Sequence, residues 1–329
     1  MKKRLNTYLA IALTTYCNYQ CFYCKEGGES ISKEKETISF FNIKRIIANA
    51  YENGITNFRI TGGEPTSVSY FEELIKYIME FKDTKVRINT NGLKILKYID
   101  VLAKYKEHID IVFSVDSMSE YIDGVHFQKY LSENVIKVTK ELKNKGISVR
   151  YNIVVTRLNK CEVKSLIIKA IDELGVNVKL LDLNRYPEYL GYSNEVKGQE
   201  AFELWQGLFV PMNSFYDFLS KISKSSQSEW TTSLISKKHG IPMSCYFRGN
   251  NWIQVKDSTR GARYSDFCIK NCLLYKEGKC QEGVFSLFLS SNLVLHLSGC
   301  KNDLIYYELN EQNDEQIKKA FQNLINLLN

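Results

Sequence analysis

The segment CNYQCFYCKEGG, residues 17–28, places three cysteines within eight residues of one another. Its spacing, C-x3-C-x2-C, lets the sulfurs of Cys17, Cys21 and Cys24 converge from a single loop. Thiolates select zinc, Cu(I) or iron–sulfur clusters. A structural zinc site wants four ligands and the first histidine of the chain is His108, so zinc fits this segment poorly. A [4Fe–4S] cluster with three cysteines would leave one iron open for another ligand.

The composition is that of an ordinary globular protein, with 329 residues, 44% of them hydrophobic and 25% charged. Nine cysteines is a high number, and seven fall into two groups, Cys17, Cys21 and Cys24 near one end and Cys268, Cys272, Cys280 and Cys300 near the other. Clustered cysteines of a reducing compartment more often bind metal or act in catalysis than form disulfides.

The first residues, MKKRLNTYLAIALTTYC, resemble a signal peptide only briefly. The apolar stretch Tyr8–Leu13 is too short, and no small-residue cleavage site follows it. No run of about 18 apolar residues is present, so we expect a cytoplasmic protein without a membrane partner. The net charge of +7 is spread along the chain, without a nucleic-acid-binding motif. Such a basic surface would suit an acidic electron donor or an anionic substrate.

The first half of the chain alternates strand-like and helix-like segments, which predicts an α/β fold with a parallel sheet. The predicted strands are Leu9–Leu13, Phe58–Ile60, Lys85–Asn89, Asp110–Val115, Ser148–Val155 and Val178–Leu183. The predicted helices are Ser39–Tyr51, Tyr70–Phe81, Leu93–Tyr105, Leu131–Lys145 and Glu162–Leu174. In such folds reactive groups collect at the carboxyl ends of the strands, where the three opening cysteines lie.

The alternation stops after Asn184. We expect helices over Glu195–Leu208, Asn213–Ser225 and Asp314–Leu328, a loop over residues 223–233, and a hairpin of Val284–Leu289 with Leu293–Leu297. This divides the chain into three predicted parts: residues 1–184, a helical connecting segment 185–244, and a C-terminal domain 245–329.

A second motif, ITGGEPTS at residues 60–67, follows the second predicted strand. Gly62 and Gly63 allow a close approach of backbone to a ligand, and Glu64 places a carboxylate at the strand end. Such a turn is weak evidence alone. With C-x3-C-x2-C on the preceding strand loop, it is strong evidence for one shared site.

Together these motifs resemble the radical S-adenosylmethionine (SAM) superfamily. Tyr23 completes the cysteine signature, and Gly62, Gly63, Glu64 and Pro65 match the motif for the amino group of SAM. Further matches are Asn91 in Thr90-Asn91-Gly92, Ser114 and Asp116 at the end of the fourth strand, and Asn152 in YNIVV. In relatives the Ser and Asn at these places help hold the carboxylate and ribose of SAM. The resemblance covers residues 8–184.

The resemblance implies a partial (β/α)6 TIM-like barrel. It also implies that SAM chelates the open iron of a [4Fe–4S] cluster held by the three cysteines. A flavodoxin- or ferredoxin-type donor would reduce the cluster, which would split SAM into methionine and a 5′-deoxyadenosyl radical. That radical abstracts hydrogen from the substrate, and the protein positions the cofactor and excludes water.

The C-terminal cysteines Cys268, Cys272, Cys280 and Cys300 suit a second [4Fe–4S] cluster, with a four-cysteine zinc site as the alternative. Their layout resembles the auxiliary-cluster extensions called Twitch or SPASM domains, and especially the molybdenum-cofactor cyclase branch of the superfamily. That cyclase has three such cysteines, an arginine-bearing stretch and a Gly-Gly tail. This chain has four cysteines, reads CLLYKEGKC at that place and ends NLINLLN.

These differences favour a small-molecule or peptide substrate, in natural-product or modified-peptide biosynthesis, with a closed auxiliary cluster that moves electrons. A GTP 3′,8-cyclase of molybdenum-cofactor synthesis is the alternative enzyme, and a non-catalytic metal-binding scaffold is the alternative of another class. Cys161 is interpreted as incidental. Cys245 is a weak candidate for a catalytic hydrogen donor or cluster ligand, against the commoner fate of a buried thiol. Arg248, Lys256, Arg260 and Arg263 mark either an anionic substrate or a solvated surface.

Overall fold

The computed structural model describes residues 4–24, 36–183, 195–229, 239–280, 282–298 and 305–328. Its strands are β1 Tyr8–Ala12, β2 Asn57–Thr61, β3 Lys85–Thr90, β4 Ile109–Ser114, β5 Tyr121–Ile122, β6 Val125–His126, β7 Ser148–Val155, β8 Asn177–Asp182, β9 Ser225–Glu229, β10 Met243–Arg248, β11 Asn251–Lys256, β12 Ser286–Leu289, β13 Val294–Ser298 and β14 Tyr306–Glu308. Its α-helices are α1 Phe40–Glu52, α2 Phe71–Ile78, α3 Ile99–Lys104, α4 Glu133–Asn144, α5 Lys160–Ile168, α6 Glu195–Leu208, α7 Asn213–Ile222, α8 Asp266–Asn271, α9 Leu273–Lys276 and α10 Asp314–Leu328.

The six strands predicted from the alternating pattern are confirmed as β1, β2, β3, β4, β7 and β8. They are neighbours in that order and all pair in parallel. Ser39 caps α1 and Ser132 caps α4, because each hydroxyl accepts a hydrogen bond from a backbone N–H of the first turn. Parallel strands joined by these helices place their carboxyl ends at one edge of the sheet.

The C-terminal half does not form a separate sheet. Strands β12, β13 and β14 extend the sheet beside β1, while β11, β10 and β9 extend it beyond β8, which makes twelve strands in all. Strand β12 pairs in parallel with β1, in the register Leu9 with Leu287 and Ile11 with Leu289. The predicted hairpin of residues 284–297 is confirmed as β12 and β13. The division into three parts stays a prediction.

One face of the sheet packs against the helices. Leu9 and Ile11 of β1, with Phe58 and Ile60 of β2, point to this outer face and are at most 2% exposed. Alternate residues point to the opposite, inner face, among them Ala10 and Arg59. The apolar core therefore lies outside the sheet, and the inner face carries the polar residues of the strands.

The sheet is strongly curved. In a flat sheet β11 would lie roughly 29 Å from β1, six strands away at about 4.8 Å per strand. Lys256 of β11 nevertheless interacts electrostatically with Tyr8 of β1, and Arg59 of β2 with Arg150 of β7. The inner face therefore curls into the wall of a partial barrel, as the resemblance implied.

One local prediction was wrong, and one hairpin was missed. The polar stretch SSQSE, predicted as loop, is β9, which pairs antiparallel with β10. The hairpin of β10 and β11 was not predicted at all, although six cross-strand pairs join it. Strand β9 lies at the edge of the sheet, where backbone pairing tolerates polar side chains.

In the described part of the chain, no helix combines the length and the apolar character needed to cross a membrane.

Candidate active site

The three opening cysteines lie in the loop after β1, at the carboxyl edge of the sheet. None forms a disulfide; Cys17 and Cys21 are half-buried and Cys24 is exposed. The backbone N–H of Cys24 donates to the carbonyl oxygen of Cys21 at 2.9 Å, which closes a tight turn. Burial raises the pKa of the Cys17 thiol, and raises that of Cys21 to about 11. A metal centre would have to displace these protons on binding.

The two glycines of the ITGGEPTS motif hold the cysteine loop. The N–H of Gly63 donates to the carbonyl of Thr14 and the N–H of Glu64 to that of Tyr16, each at 2.7 Å. A Cβ on Gly63 would stand 2.1 Å from the Tyr16 oxygen, and Gly62 has a φ of +132°. The close approach predicted for a ligand is therefore made by the backbone of the cysteine loop.

The Glu64 carboxylate is 1% exposed and is surrounded by donors. Its Oε1 accepts from the Thr66 backbone N–H at 3.1 Å and from the hydroxyls of Thr66 and Thr90 at 2.6 Å each. Its Oε2 accepts from the Asn91 N–H at 2.8 Å. Glu64 thus ties the ends of β2 and β3 together, instead of presenting a free carboxylate.

Glu64→Gln is expected to lower the free energy of unfolding by about 1–3 kcal/mol, because the amide NH2 would face a buried donor and leave it without an acceptor. Denaturant unfolding of the two proteins measures the difference. Glu72→Gln is the matched control, since Glu72 is 42% exposed in a surface pair with Lys76 and should change stability by less than about 0.5 kcal/mol. Equal stabilities of E64Q and E72Q would contradict this role.

Asn91 extends the same network to the cysteine loop. Its side-chain amide donates to the Asn18 side chain at 2.8 Å, and its own oxygen accepts from the Leu93 N–H at 3.1 Å. Asn18 lies between Cys17 and Cys21, so the end of β3 positions the cysteine loop from a second direction.

Asp116 and Tyr23, predicted on different segments, meet in the structure. The Tyr23 hydroxyl donates to Asp116 Oδ2, and the Val154 N–H donates to Oδ1 at 2.8 Å. Lys129, which sequence reasoning missed, donates to the Tyr23 hydroxyl at 3.3 Å. In the sequence, Lys129 is one lysine in a segment without a regular pattern. A single lysine of this kind does not identify a site.

Ser114 and Asn152 are direct partners in the register of β4 and β7. They therefore lie side by side on the inner face, at the carboxyl edge. Asn152 Oδ1 is buried and has no hydrogen-bond partner among the described residues. Buried polar atoms are normally satisfied, so this pair suits contact with a polar ligand.

Three arginines, missed in the sequence analysis, lie deeper on the inner face. Arg59 of β2 and Arg87 of β3 are neighbours in register, as are Arg87 and Asp110 of β4. Arg87 Nε donates to Asp110 Oδ2 at 3.0 Å. Burial, followed by the charges of Arg87 and Arg59, lowers the pKa of Arg150 to about 9. The missed signal was a charged residue at an inward position of each of these strands.

Arg150 itself is 7% exposed and 3.7 Å from Asp110. Its Nε makes no hydrogen bond within the described part of the chain. Asp110 is thus shared by two arginines, Arg87 and Arg150. This inner arginine cluster (Arg59, Arg87 and Arg150) is a site where an anion would be stabilised.

The second cysteine group is partly described. Cys268 and Cys272 are buried, Cys280 is half-buried, and Cys300 lies outside the described residues. Burial raises the pKa of Cys280, whose sulfur accepts backbone hydrogen bonds from Glu282 and Gly283. The three thiols interact electrostatically with the Tyr264 hydroxyl. The structure thus brings these three cysteines into one neighbourhood.

The other two cysteines and the basic residues noted in the sequence lie in different parts of the fold. Cys245 is buried on β10 opposite Gln254, on the inner face, while Cys161 is exposed at the start of α5. Arg248 pairs with Asp172 at the surface at 2.7 Å, and Lys256 pairs with buried Glu282 inside the barrel. The four basic residues noted in the sequence therefore do not form one anion site.

Among the described residues, no three His, Cys, Asp or Glu side chains are close enough together to hold a single metal ion. The assignment of both cysteine groups to metal centres stays a prediction.

Comparison with known proteins identifies the N-terminal part of the chain. The family model that matches is the radical SAM superfamily, over residues 11–170. Residues 11–170 form a radical SAM domain. The recognition of this superfamily from the two motifs is confirmed.

The curated relatives include a GTP 3′,8-cyclase and a probable GTP 3′,8-cyclase. The Synechocystis protein is 26% identical over 186 residues, which cover 56% of this chain and 55% of that protein. A probable GTP 3′,8-cyclase of Methanococcus aeolicus is 22% identical over 295 residues, covering 82% of this chain and 95% of that protein. The match therefore spans about half the length of the Synechocystis relative.

The fold resembles that of a solved protein that binds S-adenosylmethionine. Streptococcus suis SuiB bound to S-adenosylmethionine matches with a TM-score of 0.59 at 16% identity, covering 94% of this chain and 64% of SuiB. At this identity the likeness concerns the fold, and it confirms the TIM-like α/β architecture. The auxiliary cluster domain stays a prediction.

The residues of the site fit the cofactors of a radical SAM domain. Three cysteines outside any disulfide share one short loop, and the orphaned Asn152 Oδ1 lies on the adjoining carboxyl edge. Glu64 is the exception, because its carboxylate oxygens are already occupied by four donors. Contacts to the amino group of SAM would then come from the backbone of the motif.

Proposed function

We propose that this protein is a radical SAM enzyme in which Cys17, Cys21 and Cys24 bind a [4Fe–4S] cluster and SAM completes its coordination. When bound and reduced, the cluster supplies the electron that splits SAM into methionine and a 5′-deoxyadenosyl radical, which abstracts hydrogen from the substrate. The protein's own residues hold the cysteine loop, orient SAM and exclude water.

The observation that carries this proposal is the fixing of the cysteine loop by two neighbouring strand ends. The N–H groups of Gly63 and Glu64 donate hydrogen bonds to the carbonyl oxygens of Thr14 and Tyr16, respectively. The side-chain amide of Asn91 donates to the side chain of Asn18 in the same loop. Such support fixes the backbone of the loop that carries the three thiols. Ser114 and Asn152 then face the same edge and are available for the carboxylate and ribose of SAM.

We assign a second [4Fe–4S] cluster to Cys268, Cys272, Cys280 and Cys300. The shared environment of the first three cysteines supports this, and a four-thiolate zinc site is the alternative. The assay is anaerobic reconstitution with iron and sulfide, followed by addition of SAM and dithionite. We expect about eight irons per chain for two clusters, and release of 5′-deoxyadenosine. Zinc in place of the second cluster would halve the iron content, and absence of 5′-deoxyadenosine would refute the enzymatic proposal.

For the substrate, the inner arginine cluster favours an anionic small molecule. Arg59 and Arg87 are neighbours in register on the inner face, and the charges of both, together with burial, lower the pKa of Arg150. Arginine is the side chain best matched to phosphate oxygens. With two GTP 3′,8-cyclases among the relatives, GTP or another nucleoside triphosphate is the substrate class that we test first.

A peptide is the competing substrate. SuiB has also been solved with its precursor peptide SuiA, and the four C-terminal cysteines suit a closed electron-transfer cluster. A long peptide would need no concentrated positive charge, so the arginine cluster favours the nucleotide over the peptide. In either case the reductant is proposed to be a flavodoxin- or ferredoxin-type protein.

Arg150→Met is expected to weaken GTP binding by about 10- to 100-fold, because a charge-assisted hydrogen bond contributes about 1.5–3 kcal/mol. Isothermal titration of the reconstituted protein measures it. Arg248→Met is the control, since Arg248 pairs with Asp172 on the helix side of the sheet and should leave GTP affinity unchanged. Absence of GTP binding, or equal affinities of wild type and R150M, would turn the search to peptides.

A further inference from the structure

Lys129 is brought to the cysteine loop by the segment that follows β4. The small hairpin of β5 and β6 reverses the chain, and the Asp116 N–H then donates to the Lys129 carbonyl at 2.6 Å. Leu131 N–H donates to the Ser117 carbonyl at 2.9 Å, which fixes the segment on the other side of Lys129. The backbone is therefore held by hydrogen bonds at Lys129 itself and two residues further on, at Leu131.

The side chain of Lys129 crosses the face of Tyr23, the residue before Cys24. Its Nζ is 5.2 Å from the centre of the Tyr23 ring and 3.3 Å from the hydroxyl oxygen. The ammonium group interacts electrostatically with Cys17, Cys21 and Cys24. Its charge lowers the pKa of both Cys17 and Cys21, against the effect of burial.

Asp116 is the opposite charge in this neighbourhood. It is 1% exposed, and it accepts from Tyr23 and from the Val154 N–H. Lys129 and Asp116 thus form a fixed cation and a fixed anion on either side of the Tyr23 hydroxyl. Solvent screens the buried charge of Asp116 little, and it screens the half-buried Lys129 less than a surface lysine.

We propose that Lys129 is a positioning residue whose positive charge raises the midpoint potential of the cluster bound by Cys17, Cys21 and Cys24. This inference rests on the proposed function. One electron from a low-potential donor adds one negative charge to the cluster and no bond forms or breaks. A nearby cation stabilises the reduced form more than the oxidised form, so the reduction becomes easier. A nearby anion acts in the opposite direction.

The test is a redox titration of the reconstituted full-length protein at pH 8, followed by EPR of the reduced cluster. Lys129→Met is expected to shift the midpoint potential in the negative direction, and Lys129→Arg to restore it towards the wild-type value. Lys137→Met is the matched control, because the Lys137 side chain is 71% exposed on α4. Its potential should equal that of the wild type.

Asp116→Asn should shift the midpoint potential in the opposite direction to Lys129→Met. Removing this anion should shift the potential in the positive direction, which a merely structural effect on the loop would not produce. If K129M fails to hold a cluster, K129R and D116N still decide the matter. A D116N potential at or below the wild-type value would overturn the proposal, as would K129M and wild-type potentials that coincide. Failure of the wild-type protein to bind a cluster would instead refute the proposed function.

Discussion

Cys21→Ala is expected to abolish the release of 5′-deoxyadenosine from SAM, with product at the level of the protein-free background. Cys21 is the middle thiol of the first group, and its loss would leave two cysteine ligands for the proposed cluster, which has only three. Iron content should fall from about eight to about four per chain, because the C-terminal cysteines are untouched. Liquid chromatography of the quenched reaction and colorimetric iron analysis give both values.

Cys161→Ala is the matched control, since Cys161 is exposed at the start of α5 and belongs to neither cysteine group. It should retain wild-type iron and wild-type cleavage. Cys300→Ala should lose iron from the second site and keep part of the cleavage. Undiminished cleavage by C21A would show that another residue supplies the third ligand.

Gly63→Ala is expected to have the second large effect. The added methyl group would stand 2.1 Å from the Tyr16 carbonyl oxygen, so the cysteine loop must move away from the β2 end. The hydrogen bonds from Gly63 to Thr14 and from Glu64 to Tyr16 would lengthen or break. We expect a loss of about 2–4 kcal/mol of unfolding free energy, from overpacking and two weakened hydrogen bonds. Cleavage of SAM should fall at least tenfold.

Gly207→Ala tests the same chemical change where there is space. Gly207 lies in α6, and no atom is within 4 Å of the position that the added methyl group would take. In a helix this substitution stabilises by about 0.5–1 kcal/mol. A G63A protein as stable and as active as G207A would show that the cysteine loop is not held by the glycine turn.

The sequence predicted the barrel strands well because they are buried on both faces or alternate strictly. Strand β7, for example, was assigned with its observed bounds, Ser148–Val155. The partners of the C-terminal strands were beyond prediction, since β12 pairs with β1 from the opposite end of the chain. Nothing local in either strand encodes that pairing. The prediction missed β9 for another reason. Its sequence, SSQSE, has no alternation of apolar and polar residues.

In the site, short motifs were predictable and long-range contacts were not. The cysteines and ITGGEPTS were found because their spacing alone carries chemical meaning. Glu64 was identified, but its four donors come from three separate residues, which only the fold brings together. Lys129 and Arg150 were missed because a single basic residue is usually solvated, and their burial is a property of the tertiary structure.

The pairing of β1 with β12 bears on the order in which the protein matures. During synthesis β1 emerges first, but its neighbour on one side is made only after some 270 further residues have left the ribosome. Until then β1 has one unpaired edge next to the three thiols. Contacts between such distant segments form slowly. Iron–sulfur assembly at Cys17, Cys21 and Cys24 is therefore expected to follow the synthesis of β12, and a chain that stalls before β12 would expose the cysteine loop beside an unpaired strand edge.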